Sequence, residues 1–164
     1  MKEAEILEYL TDNDGSSRDI TFTHATFNNL YQFIKLFLET FGNGQLFDKS
    51  GKRVGVSTGN VISYIQKNKE GCIHGKLKSS DSFVSQIFLF LDWTKNTEIA
   101  VEISFSPKNL CDDFTSSMFF DALNKWWAVL KSEQVFVRHE NASWDSYDPQ
   151  GHGVFYHAFK ERKA

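Results

Sequence analysis

Residues 83–105 read Phe83-Val84-Ser85-Gln86-Ile87-Phe88-Leu89-Phe90-Leu91-Asp92-Trp93-Thr94-Lys95-Asn96-Thr97-Glu98-Ile99-Ala100-Val101-Glu102-Ile103-Ser104-Phe105. The last eight alternate: Ile99, Val101, Ile103 and Phe105 fall on one side, Glu98, Ala100, Glu102 and Ser104 on the other. That is a strand with one buried and one wet face. Residues 83–93 are apolar on both sides, with Ile87, Leu89 and Leu91 on one and Phe88 and Phe90 on the other, which predicts a central strand covered twice. Thr94-Lys95-Asn96-Thr97 is a turn, so the two runs are expected to pair as an antiparallel hairpin.

Working outward, residues 72–78 form a third extended run, and residues 18–24 alternate around Ile20 and Phe22 as a half-buried strand. From Thr26 the period changes. Phe27, Leu30, Tyr31, Ile34, Phe37, Leu38 and Phe41 recur at three and four, with Thr26 as N-cap and Gly42-Asn43-Gly44 as the stop; Phe33 and Leu36 widen the stripe. Ser57-Thr58-Gly59-Asn60 opens a second helix carrying Val61, Ile62, Tyr64 and Ile65, closed by Gly71. A third follows Asp112-Asp113-Phe114-Thr115, with Phe119, Phe120, Leu123, Trp126, Trp127 and Leu130 on one side. Residues 134–140 and 154–160 read as strands, and residues 141–153 as a polar loop. Residues 3–10 are too short to classify. Hairpins mixed with about three helices predict an α+β fold, a mostly antiparallel sheet in a single domain spanning residues 1–164.

Composition fits that size. The 164 residues are 41% hydrophobic and 15% aromatic, 16 of the aromatics being Phe, so a core can form without a metal or disulfide staple. Cys72 and Cys111 lack CxxC spacing and are expected as reduced, partly buried thiols. The acidic start Met1-Lys2-Glu3-Ala4-Glu5 does not read as a signal peptide, and the longest apolar run falls short of a membrane span. A cytoplasmic protein is expected. The net charge of −3 argues against direct binding of nucleic acid through its phosphates. Charge is unevenly placed: residues 49–78 hold Lys49, Lys52, Arg53, Lys67, Lys69, Lys76 and Lys78 against Glu70, a local +6, whereas residues 96–148 hold nine acids against four bases, a local −5. A bipolar surface follows, with an acidic face suited to a basic partner.

No segment carries a catalytic, nucleotide-binding or metal-binding signature, and no cofactor is expected. His139, Glu140, Asp145, Asp148, His152 and His157 are the best metal-ligand types, yet their spacings match no known site, and His157 alternates with Phe155 and Phe159 as a strand residue would. Residues 51–60 are glycine-rich and basic and open a helix, but lack the order that sets a lysine on a terminal phosphate. The most unusual stretch is residues 138–153, a long loop holding Trp144 and Tyr147 among acids. Trp and Tyr in such settings are the residue types of binding hot spots.

In its size, its lack of catalytic motifs, its aromatic-rich make-up and the Glu140-Asn141-Ala142-Ser143-Trp144-Asp145 loop, the chain resembles the small acidic α+β immunity proteins that accompany bacterial polymorphic toxins. The resemblance implies a protein that neutralises a cognate toxin by occluding its active site. The expected contact surface is Glu98 and Glu102 on the wet strand with Glu140, Trp144, Asp145, Tyr147 and Asp148 on the loop, facing a basic toxin domain such as a nuclease. Two alternatives stand beside it: a small-ligand-binding or adaptor domain with a cleft between helix and sheet, and a metal-dependent or His/acid hydrolase using residues 139–157.

Overall fold

A computed structural model describes residues 2–94, 98–140 and 153–160. The expected hairpin sits in the middle of it. In chain order the elements are α1 (Glu3–Thr11), β1 (Arg18–Thr26), α2 (Phe27–Thr40), β2 (Asn43–Gly44), β3 (Leu46–Asp48), β4 (Arg53–Val54), α3 (Thr58–Lys67), β5 (Gly71–Lys78), β6 (Gln86–Trp93), β7 (Glu98–Phe105), a 3₁₀ turn (Pro107–Asn109), α4 (Ser116–Leu130), β8 (Gln134–His139) and β9 (Val154–Phe159). The strands form one sheet in the order β4-β3-β5-β6-β7-β1-β8-β9, with β2 beside β5, and every pairing is antiparallel. The architecture is α+β, as the sequence predicts.

Packing explains the helices. Thr115 caps α4 by accepting from the Met118 N–H at 3.4 Å, and Phe119, Leu123, Trp126 and Leu130 are buried. Ser57 caps α3 in the same way through the Asn60 N–H. The apolar stripe of α2 centres on Leu30, Phe33, Ile34 and Phe37, so Phe33 lies at its middle and Tyr31 is exposed. Phe37 contacts the rings of Phe33, Phe41 and Trp126, joining α2 to α4. Each such side chain contributes roughly 1.5–3 kcal/mol by leaving water. Thr26 is the N-cap residue of α2, but its hydroxyl accepts from the Asn29 side chain rather than from backbone.

Residues 3–11, unclassified by sequence, form a fourth helix anchored by Ile6 and Leu10. Its tether is Arg18, fully buried at the start of β1, whose guanidinium donates to the carbonyls of Tyr9 and Asp12 at 2.6 Å each and to the Ser16 hydroxyl at 2.8 Å. This one side chain gathers the loop after α1 around itself.

Several expectations change. The run at 83–93 is two pieces: β6 begins at Gln86, while Val84 bridges Leu110 and the Phe83 ring turns in against Phe105, Phe119 and Trp126. β1 is not half-buried, because it lies between β7 and β8 and residues 18–22 are buried on both faces. A bulge between Phe22 and Ala25 places His24 in the left-handed region, at φ 55°. α3 ends at Lys67 with Asn68 as its C-cap residue, and Gly71 belongs to β5. Most consequential is β6. Ile87, Leu89 and Leu91 enter the core, but Phe90 is 37% exposed and Phe88 is half-buried, so its second face is not covered.

The cause lies in how the helices are distributed. Alternation carries Ile73, Leu77, Leu89, Leu91, Val101, Ile103, Ile20, Phe22, Val135 and Val137 to one side of the sheet, where they form a common core with the buried residues of all four helices. Among the described residues, the opposite face carries no helix.

Candidate functional site

The uncovered face is the candidate site. Cross-strand register aligns one residue from every strand of the main path on it: Arg53 opposite Phe47, then His74, Phe90, Glu102, Thr21, Phe136 and His157. Adjacent side chains in such a row stand close enough to interact directly.

At the β3–β6 end the row is aromatic. The ring centroids of Phe47 and His74 are 6.2 Å apart, His74 stacks on Phe88 at 6.2 Å and 9°, and Phe88 lies 4.6 Å from Phe90. A concavity of about 440 Å³ opens here, lined by Gly44, Gln45, Phe47, His74, Gly75, Lys76, Lys78 and Phe88. At Gly75 a Cβ would overlap the Gln45 carbonyl oxygen, so glycine is what lets the chain entering β3 pass this close to β5. At the β8–β9 end the rings of Phe136 and His157 stack at 4.3 Å and 3°.

Between these ends lies an ionic centre. Arg138 Nη2 is 3.4 Å from Glu102 Oε2, the Thr21 hydroxyl donates to the same oxygen at 3.4 Å, and the Ser104 hydroxyl donates to Asp19 Oδ1 at 2.7 Å. Burial pushes both carboxyls above their usual range; Asp19 raises Glu102 further, Glu140 raises Asp19 further, and Arg138 opposes the shift in both. Two acids therefore share one buried arginine.

The predicted contact residues are spread across this face. Glu98 is exposed and its carboxylate lies 3.2 Å from His24 Nδ1. Glu102 is half-buried in the ionic centre. Glu140 is exposed beyond the far end of β8, accepting from the Ser17 N–H at 3.2 Å. Register sets Glu98 and Glu140 eight residue rows apart, roughly 26 Å at strand rise. Trp144, Asp145, Tyr147 and Asp148 lie outside the described residues.

The predicted metal ligands divide between the faces. His139 packs against Tyr9 and Phe155 on the helix side, where burial lowers its pKa, while His157 and Glu140 lie on the uncovered face. Asp145, Asp148 and His152 fall outside the described residues. Among those described, no three His, Cys, Asp or Glu side chains are placed to hold an ion. Around the basic turn, the Asp48 carboxylate accepts from the Ser50 hydroxyl at 2.7 Å and from the Ser50 and Lys52 N–H groups at 2.9 Å each, which lowers its pKa; those amides already face an anion of the protein itself. Both cysteines are free and partly buried. No described helix is long and apolar enough to cross a membrane.

No protein-family description matches the sequence, and no curated protein matches it closely enough to count as a relative. A match among solved structures is with a chain from the crystal structure of the toxic C-terminal tip of CdiA from Pseudomonas aeruginosa in complex with immune protein. It covers 87% of this chain and 94% of that one, with a TM-score of 0.61 and 15% identity. The chain folds like a member of a toxin–immunity complex. At that identity the likeness is one of fold.

Sequence reasoning missed Phe47, His74, Phe88 and Phe90 as surface groups, because β6 in isolation reads as buried on both sides. The signal was on its neighbour. Cys72, His74, Lys76 and Lys78 alternate along β5, and two lysines on the face that Phe88 and Phe90 share are incompatible with a second covering layer.

Proposed function

We propose that this protein is an immunity-type inhibitor, which binds a cognate bacterial toxin in the cytoplasm and neutralises it by occluding its active site. The likeness in fold to a chain from a toxin–immune protein complex carries this reading. The uncovered sheet face supports it, since a broad surface of aromatic rings and paired charges suits protein recognition better than it suits chemistry. Glu98, Glu102 and Glu140, with Trp144, Asp145, Tyr147 and Asp148, form the acidic contact set for a basic toxin domain such as a nuclease. Acids on the rim speed encounter and select the partner, and the aromatic anchors hold it.

Co-expression with the product of a toxin-like reading frame found beside this protein's gene tests the reading. Protection by the wild-type chain is expected, with Trp144→Ala and Asp145→Lys losing it while thermal unfolding stays unchanged. Protection by both variants would discard this contact set. A wild-type chain that neither protects nor binds that toxin would discard the function.

A further inference from the structure

The acidic contact set leaves half of the uncovered face unused, and that half has the opposite character. On β4, β3, β5 and β6 its charged side chains are Arg53, Lys76 and Lys78 against Asp92 alone; on β7, β1 and β8 they are Glu98, Glu102 and Asp19 against Arg138. We propose that the β4–β6 half is a second docking surface, which receives an acidic segment of the protein partner with an apolar side chain seated among Phe47, Phe88 and Phe90. The proposal rests on the toxin-binding reading and adds to it the chemistry of a second contact.

Three observations carry it. Lys76 and Lys78 are exposed and two residues apart on β5, so their side chains leave the same face from backbone positions about 7 Å apart, a spacing that two carboxylates of one extended segment can meet. Lys76 stands directly opposite Phe88 in the strand register, and both line the concavity of about 440 Å³. The neighbouring strands β7 and β1 carry Glu98, Glu102 and Asp19 on this face and repel an acidic segment, so the charge pattern favours its placement on the β4–β6 half. A polyanionic nucleic acid fits less well. His74, Phe88 and Phe90 contact one another rather than standing as separate platforms for bases, and a strand running on across the sheet meets the acids of β7 and β1.

The test is an NMR titration of the full chain with the synthetic peptide Ac-EELFEE-NH2, its lysine counterpart Ac-KKLFKK-NH2, and an oligothymidylate. The acidic peptide is expected to shift the amide signals of Phe47, His74, Phe88 and Phe90 at millimolar concentration. Added salt should weaken its binding, and both Lys76→Glu/Lys78→Glu and Phe90→Ser should weaken it at least fivefold, while the lysine peptide leaves these signals in place. Unmoved signals with the acidic peptide, or stronger binding of the oligothymidylate to the same residues, would overturn the proposal. Movement of the same signals on simple dilution would overturn it too, by assigning the surface to a second copy of the chain. The toxin-binding reading stands or falls separately, on protection by the wild-type chain.

Discussion

The two faces of the sheet are built from the same strands and differ in almost everything else. On the covered face, alternating Ile, Leu, Val and Phe meet four helices, and exclusion from water does the stabilising. On the uncovered face, the intervening positions hold aromatic rings, two raised carboxyls and a set of cations, arranged by register rather than by packing. One face makes the fold and the other makes a surface. Their substitutions should therefore separate cleanly into those that cost stability and those that cost recognition.

The sharpest test of that separation is Phe37→Ala. Phe37 is fully buried between α2 and α4, and its truncation is expected to cost about 3–5 kcal/mol, read as a fall in the urea midpoint. A loss below 1 kcal/mol would mean that the covered face is not where stability resides. Next comes Arg18→Met, which removes a charge buried at 0% exposure and orphans the carbonyls of Tyr9 and Asp12. About 2–4 kcal/mol should be lost, with fast hydrogen exchange appearing first in α1. Exchange rising evenly through the chain would contradict the tethering role.

On the uncovered face the expected effects are smaller and of another kind. Asp19 has a pKa raised above its ordinary value. In that case the native state holds its proton to higher pH than the unfolded chain does. Asp19's contribution therefore becomes unfavourable as pH climbs from near 4 through the raised pKa, and stays so above it. Asp14, held near 2 by its hydrogen bonds to Ser16, and Asp48 behave oppositely, their contributions being lost as pH falls below the usual carboxylate range. Asp19→Asn keeps an acceptor for Ser104. It should gain most over wild type at pH 7, with the difference shrinking toward pH 4 in paired urea titrations; a pH-independent difference would refute the assignment. The smallest change in stability, within about 1 kcal/mol, is expected for Phe90→Ser, since that ring is already 37% exposed. A drop of several kcal/mol in its unfolding free energy would erase the distinction between the faces.

Much of the covered face is legible in the sequence, because helix and strand periodicities are local. The α4 stripe from Phe119 to Leu130, the Ser57 cap and the alternation of β7 can each be read without knowing the neighbours. The uncovered face is not legible in that way. That Phe90 stands beside His74 and Glu102, or that Asp19 and Glu102 share Arg138, depends on pairings between strands far apart in the chain, such as Thr21 with Glu102 and with Phe136. Glu102 reads from its own strand as a wet acid; register makes it half of an ion pair with a raised pKa. The short α1 escaped reading for a similar reason, since Arg18 and the core hold it more than its own propensity does.

β4 has a consequence for how anything can attach to this molecule. The sheet stops there after only Arg53 and Val54, and Arg53 points outward with its charge. A neighbouring chain that sought to extend the sheet on this side would find too few open backbone groups to grip, and a cation in its way. The molecule is thus guarded here against side-by-side polymerisation, and a partner arriving from the β4 side must settle flat on the aromatic row rather than zip onto its border.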